Sequence, residues 1–278
     1  AGIEGADRLI ADTWDFMEAQ FYEPGHSAYA DERDASLATL SSYRGQNANM
    51  HTVEALIAAF EATGEARYLD RADLVANRFT VDLATGADGQ IWEHYTADWQ
   101  HDWTYNIDKP DDLFKPWGFQ PGHQVEWTKL LLQLDAHRPA DWHLATATRL
   151  YDMAMARGWD QDHGGLVYGY APDGSFADAH KYFWVQAEAL AAAWRLYTRT
   201  GEERYRSDYH RLWGWSWDHL IDHEHGAWFR ITSREGHKVE PYKSPAGKTD
   251  YHTMGACWDV LSVMPGADVW NATDRKRK

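Results

Sequence analysis

Four segments of this 278-residue chain share one make-up, a turn containing Gly and Asp followed by residues that favour strands: 22–30 (YEPGHSAYA), 87–95 (ADGQIWEHY), 160–170 (DQDHGGLVYGY) and 222–231 (DHEHGAWFRI). Gly25, Gly89, Gly165 and Gly226 mark spacings of 64, 76 and 61 residues. Self-similarity at such a period marks a repeat architecture, in which each unit buries its apolar face only against its neighbours. Between the turns the hydrophobic period changes to that of a helix. Residues 49–63 pair with 66–81, 122–136 with 141–158, and 182–200 with 203–221; one helix over 5–20 precedes the pairs and one over 251–264, stopped by Pro265, follows them.

The two helices of a pair differ in kind. The first is apolar nearly all round (VEALIAAF, QVEWTKLLLQL, VQAEALAAAW), which requires burial on several sides, and the second carries its charges on one face. Two junctions are almost the same text, ATGEARYLDRA at 62–72 and RTGEERYRSDY at 199–209, with Gly closing one helix and an acidic turn opening the next. An inner ring of helices inside an outer ring accounts for both patterns, an open helical solenoid being the alternative. The expected fold is therefore all-α, an α/α toroid of helical hairpins with short β-turns between them, forming one domain over 1–278. Six hairpins of roughly 65–70 residues would need on the order of 400 residues to close a ring. Eight helical patterns, where closure takes twelve, predict an incomplete (α/α)6 barrel or an absent N-terminal part.

Composition narrows the function. The chain carries 27 Lys and Arg against 43 Asp and Glu, a net charge of −16, which disfavours a nucleic-acid partner because phosphate binding needs clustered cations. No apolar run approaches the ~18–20 residues of a membrane span, and no signal-peptide pattern opens the chain. One cysteine, Cys257, excludes an intrachain disulfide and fits a reducing, cytoplasmic location; within an apolar helical run it is expected to be buried and inert.

Polar residues cluster where the inner helices begin. Taking His51, His123, Val185 and His252 as equivalent gives intervals of 72, 62 and 67, which match the turn spacing. A single His on an apolar helix is ordinarily a hydrogen-bonded core residue, but three in one slot of a repeat point to a functional centre. His51/Glu54 and His123/Glu126 at i, i+3 share a helix face, as do Asn47/His51, Trp184/Glu188 and Lys248/His252 at i, i+4. A helix N-terminus disfavours the imidazolium form, which suits proton abstraction near neutral pH. The Glu at i+3 would orient the imidazole or bind a sugar hydroxyl, or else make a buried helix–helix hydrogen bond. Fifteen histidines, with His223 and His225 flanking Glu224, raise zinc as a rival. Without HExxH or a Cys/His quartet, no metal and no cofactor are expected. Aromatic faces stack on sugar rings: Trp117 and Trp184, beside polar slots, are candidate ligand contacts. Trp194, Trp213, Trp215 and Trp217 are expected mainly to fill space between helices.

At these residues the sequence resembles the N-acylglucosamine 2-epimerase family. The stretches that carry the resemblance are YRGQNANMHTVEAL (43–56), PGHQVEW (121–127), KYFWVQAEA (181–189) and SPAGKTDYHTMGAC (244–257), spread over nearly the whole chain. Their wording is nearest to the aldose–ketose isomerase branch acting on mannose. The resemblance implies an (α/α)6 barrel and metal-independent acid/base chemistry through His123 and His252. It places Asn47 and His51 in the sugar site, Glu126 beside His123, and Trp184 and Glu188 on the sugar; Lys248 and Trp117 join them as substrate-binding candidates. The implied reaction opens a pyranose such as D-mannose, removes the C2 proton to give a cis-enediol, and returns it at C1 for the ketose or at C2 for an epimer. The family also places an enediolate-stabilising arginine on an early inner helix, for which this chain has no counterpart; Arg44 lies in a different motif. Weak or absent turnover by this polypeptide alone is therefore expected. Three readings stand: a sugar isomerase or 2-epimerase acting on a mono- or disaccharide, a toroidal glycoside hydrolase or lyase using two carboxylates such as Asp250 and Glu126, and a non-catalytic sugar-binding protein.

Overall fold

Among the described residues of the computed structural model, 3–243 and 250–264, the helical periods become eight α-helices: α1 Ala6–Gln20, α2 Gln46–Thr63, α3 Ala66–Asn77, α4 Pro121–His137, α5 Asp141–Gly158, α6 Phe183–Thr200, α7 Glu203–His219 and α8 Tyr251–Val263. Lys248, with the rest of 244–249, lies outside the described residues. Eight short strands connect them: β1 Tyr22–Glu23, β2 Ala28–Tyr29, β3 Arg44–Gly45, β4 His94–Tyr95, β5 Gly169–Tyr170, β6 Phe176–Asp178, β7 Lys181–Tyr182 and β8 Ile231–Thr232. No described helix is long and apolar enough to cross a membrane.

The strands show what the repeated turns do. The residues just before an inner helix pair with the turn that follows its hairpin: Arg44 with Tyr95, Phe119 with Tyr170, and Tyr182 with Ile231. The starts of α2, α4 and α6 are thus fixed by short antiparallel contacts, and their first-turn side chains inherit that fixed direction.

The chain divides into two compact units, 1–117 with 133–146, and 118–132 with 147–278. In the first, α2 and α3 form a hairpin at Gly64, whose φ of 76° is the left-handed conformation that ends a helix without a Cβ penalty. Asn49 of α2 clasps the backbone of Tyr29, accepting its N–H at 2.7 Å and donating Nδ2–H to its carbonyl at 2.8 Å. The 66–81 period does not run on as one α-helix. At Arg78 the backbone passes into a π turn, Arg78–Asp82, and a 3-10 turn, Leu83–Ala87. Arg44 is buried in a bidentate pair with Glu23, both contacts at 2.8 Å, which gives it a structural role.

The start of α2 holds a displaced acid. Asp31 accepts the Gly45 N–H at 2.6 Å, just before α2 begins. Burial pushes its carboxyl up to about 7, against the pull of that N–H and of Lys115. The folded state therefore holds a proton that the unfolded chain releases near pH 4, so stability is present below pH 4 and is lost as pH rises to about 7. Asp31→Asn, which keeps the accepting oxygen, is expected to flatten this slope, worth on the order of a few kcal/mol; urea unfolding at pH 4, 5.5 and 7 measures it.

In the second unit α6 packs against both α7 and α8. Every residue from Phe183 to Ala193 is buried, the reason its sequence is apolar all round. Gln186 clasps Leu166, accepting its N–H at 2.9 Å and donating to its carbonyl at 2.8 Å, as Asn49 does for Tyr29. The 160–165 and 222–227 turns are built alike: Asp160 accepts the N–H of Asp162 and His163, and Asp222 those of Glu224 and His225. Lys181, fully buried, reaches Asp160 at 2.8 Å, and Arg234 closes on the same carboxylate at 2.8 Å.

Two expectations are corrected here. Cys257 is exposed, because α8 buries only the His252, Thr253, Ala256, Asp259 and Val260 side. Trp215 fills space and donates its indole N–H to the His163 carbonyl, and Trp213 packs against Trp228, but Trp217 is half exposed.

Candidate active site

Three helix starts of the second unit place polar side chains together. Pro121 opens α4, where its missing N–H costs nothing, and the helix carries His123, Glu126 and Lys129 on a stripe that winds around it at i, i+3 and i+6. Trp184 and Glu188 project from the first two turns of α6 and His252 from the first turn of α8. All six are buried.

The indole of Trp184 is the common wall. His123 packs on it with ring centroids 5.0 Å apart and His252 with centroids 5.4 Å apart, at tilts of 35° and 34°. Tyr168 meets the indole edge-on and is itself stacked on Tyr182 at 3.9 Å. The fit depends on Gly122: a Cβ there would stand 2.4 Å from Trp184 Cζ3 and 2.5 Å from Cη2. Gly122→Ala is expected to displace the indole and to lower stability by about 1–3 kcal/mol, read as a lower denaturant midpoint with altered tryptophan fluorescence.

Below the indole lies a charged cluster. Glu188 holds His252 Nδ1 at 2.7 Å with Oε1 and the Lys129 ammonium at 2.8 Å with Oε2. Burial opposes ionisation of Glu188, but the Lys129 charge and then the His252 hydrogen bond outweigh it and hold the carboxyl below its ordinary range. An ionised carboxylate only accepts, so His252 donates to it from Nδ1–H, which leaves Nε2 as the nitrogen not bound to Glu188. Glu126, Glu188 and His252 each bring a polar atom within 4.8 Å of the others. Both oxygens of Glu188 are engaged, and the cation of this cluster is the Lys129 ammonium.

The sequence-predicted residues are divided by chain position between the two units. His123, Glu126, Trp184, Glu188 and His252 come together in one unit. Asn47, His51 and Trp117 belong to the other. There His51 Nδ1 lies 3.3 Å from Glu54 Oε2, as i, i+3 spacing predicts, on the wall of an apolar groove of about 640 Å³ between α1 and the α2–α3 hairpin. Trp117 is partly exposed, donates its indole N–H to the Trp103 carbonyl at 2.8 Å, and packs edge-on against Trp92. Lys129 is the residue that motif reading missed. Its signal was present: the one cation in the largely buried stretch VEWTKLLLQL must find a buried carboxylate.

The chain matches known proteins over nearly its whole length. It is 52% identical over 264 residues to a D-mannose isomerase of Marinomonas mediterranea, covering 95% of this chain and 67% of that relative. A crystal structure of D-mannose isomerase superposes with a TM-score of 0.93 at 52% identity, over 95% of this chain and 68% of the other. The cellobiose 2-epimerase of Spirochaeta thermophila shares the fold, with a TM-score of 0.80 at 24% identity over 94% of this chain and 65% of that one. The chain spans about two thirds of the length of the curated mannose isomerases it matches. The helical hairpins are accordingly those of the α/α barrel. The sequence profile of the N-acylglucosamine 2-epimerase (GlcNAc 2-epimerase) family matches residues 1–256, and with a relative more than half identical this chain belongs to that family.

Proposed function

We propose that the chain is a sugar isomerase that interconverts D-mannose and D-fructose through a cis-enediol, without metal, by histidine acid/base catalysis. The observation that carries this reading is the pair of buried imidazoles on one indole, one of them fixed in tautomer by a carboxylate. Nε2 of His252 takes the C2 proton of the opened aldose and returns it at C1, and a base held in one tautomer loses no time in the wrong one. His123, the second imidazole on Trp184, moves the proton between the hydroxyl oxygens. The Trp184 face takes the C–H side of the sugar, and Glu126 and Glu188 bind or support around it. The sugar-contact roles of Asn47, His51, Trp117 and Lys248 rest on the family motifs alone. A reducing, cytoplasmic setting is supported by the single, exposed cysteine.

Proton return at C2 instead would make the same site a 2-epimerase. A hydrolase is less well supported: of its two candidate carboxylates Glu126 is buried and Asp250 exposed at the start of α8. Nuclear magnetic resonance of mannose, glucose, fructose and cellobiose in heavy water separates the readings. Fructose deuterated at C1 supports the isomerase, label at C2 of an aldose the epimerase, and release of glucose from cellobiose a hydrolase. Binding without exchange would overturn the catalytic reading.

A further inference from the structure

We propose that Lys129 is a positioning residue for His252, acting through Glu188: its ammonium balances the buried carboxylate, so that Glu188 orients the imidazole without drawing a proton onto it. The inference rests on the isomerase reading of the site and adds to it a residue that no sequence motif singled out.

The geometry is a relay of three buried groups from three helices. Lys129 of α4 meets one oxygen of Glu188 at 2.8 Å, and Nδ1 of His252 on α8 meets the other at 2.7 Å. Each of the three side chains is at least 96% buried. The charge of an ionised carboxylate bound to an imidazole favours the protonated imidazolium. A protonated imidazole cannot accept the C2 proton. With Lys129 present the relay is neutral when His252 is neutral, and the base keeps its lone pair.

The other charged and titratable groups around His252 are accounted for. From α4 the Glu126 carboxylate stands within 4.8 Å, and His123 reaches the other contact with Trp184. From α8 itself Tyr251 packs against the ring and Asp250 precedes the helix. Further along, Asp259 of α8 is engaged by Arg195 of α6. Among these described groups, Lys129 is the cation that touches the carboxylate holding His252.

The test uses opposite charge changes in the full chain, with imidazole-¹⁵N histidine labelling and the His252 signal identified by its loss in His252→Asn. Lys129→Met is expected to raise the pH midpoint of His252 by roughly one unit or more. The acid limb of kcat/KM for mannose should rise with it. Lys129→Arg, which keeps the charge, should restore both. Glu188→Gln, nearly isosteric, leaves the Lys129 charge unopposed and is expected to move the midpoint down; it stands as the test if Lys129→Met does not fold. A midpoint unmoved by Lys129→Met in a folded protein, or movement of both variants in the same direction, overturns the proposal. Shifts of the expected signs in a chain that exchanges no sugar proton would instead overturn the isomerase reading and leave the relay standing.

Discussion

Replacing His252 with Asn is expected to abolish deuterium incorporation into the sugar, with turnover falling by about 10²–10⁴-fold, while the protein stays folded. The reason lies in the two ends of the imidazole. Nδ1–H serves Glu188 at 2.7 Å, and the Asn amide can supply a donor in nearly the same place. The buried carboxylate therefore keeps a hydrogen bond, and the unpaired-acceptor penalty of about 1–3 kcal/mol is avoided. The Nε2 lone pair has no counterpart in Asn, so the proton has nowhere to go. Sugar exchange and thermal unfolding measured on the same preparation decide the matter. A loss of folding equal to the loss of exchange would make His252 a structural residue.

Asp160→Ala should be the most destabilising single change in the second unit. It strands Lys181, which is fully buried and held by Asp160 at 2.8 Å, and it releases Arg234 and the two turn N–H groups that the carboxylate accepts. Breaking a buried pair from one side costs about 3–5 kcal/mol, because the remaining charge is uncompensated. The companion change Lys181→Met should recover much of that loss in the double variant, since no buried charge is then left alone. Burial works against ionisation of Asp160, but the Arg234 and Lys181 hydrogen bonds outweigh it and hold the carboxyl well below the usual range. A depressed carboxylate contributes its stability above the unfolded value near pH 4 and loses it as pH falls further. Wild-type protein should therefore lose stability below pH 4 more steeply than Asp160→Ala, and guanidinium midpoints between pH 2 and 5 would show whether it does.

Much of the candidate site was legible because of repetition. The regular interval between His51, His123 and His252 was visible, but His51 lies in the second turn of α2 while His123 and His252 lie in the first turns of α4 and α8; the i+3 spacing did put Glu54 beside His51. Lys129 escaped because its partner is 59 positions away on another helix, and no local period encodes that distance. Cys257 and Trp217 were misjudged for a related reason. Both lie in patterns that look buried by periodicity, yet α7 and α8 each offer a face that no described helix covers.

The sequence alone determined the helical hairpins, the turns between them and the polar starts of the inner helices. These follow from local rules: the period of apolar residues, glycine in the left-handed conformation and proline at a first turn. Tertiary structure alone decided which atoms meet. That Trp184 receives two imidazoles through the space left by Gly122, and that Glu188 divides its oxygens between Lys129 and His252, depends on the relative rotation and depth of three helices. Side-chain packing across the chain sets those quantities, and a one-dimensional pattern does not contain them.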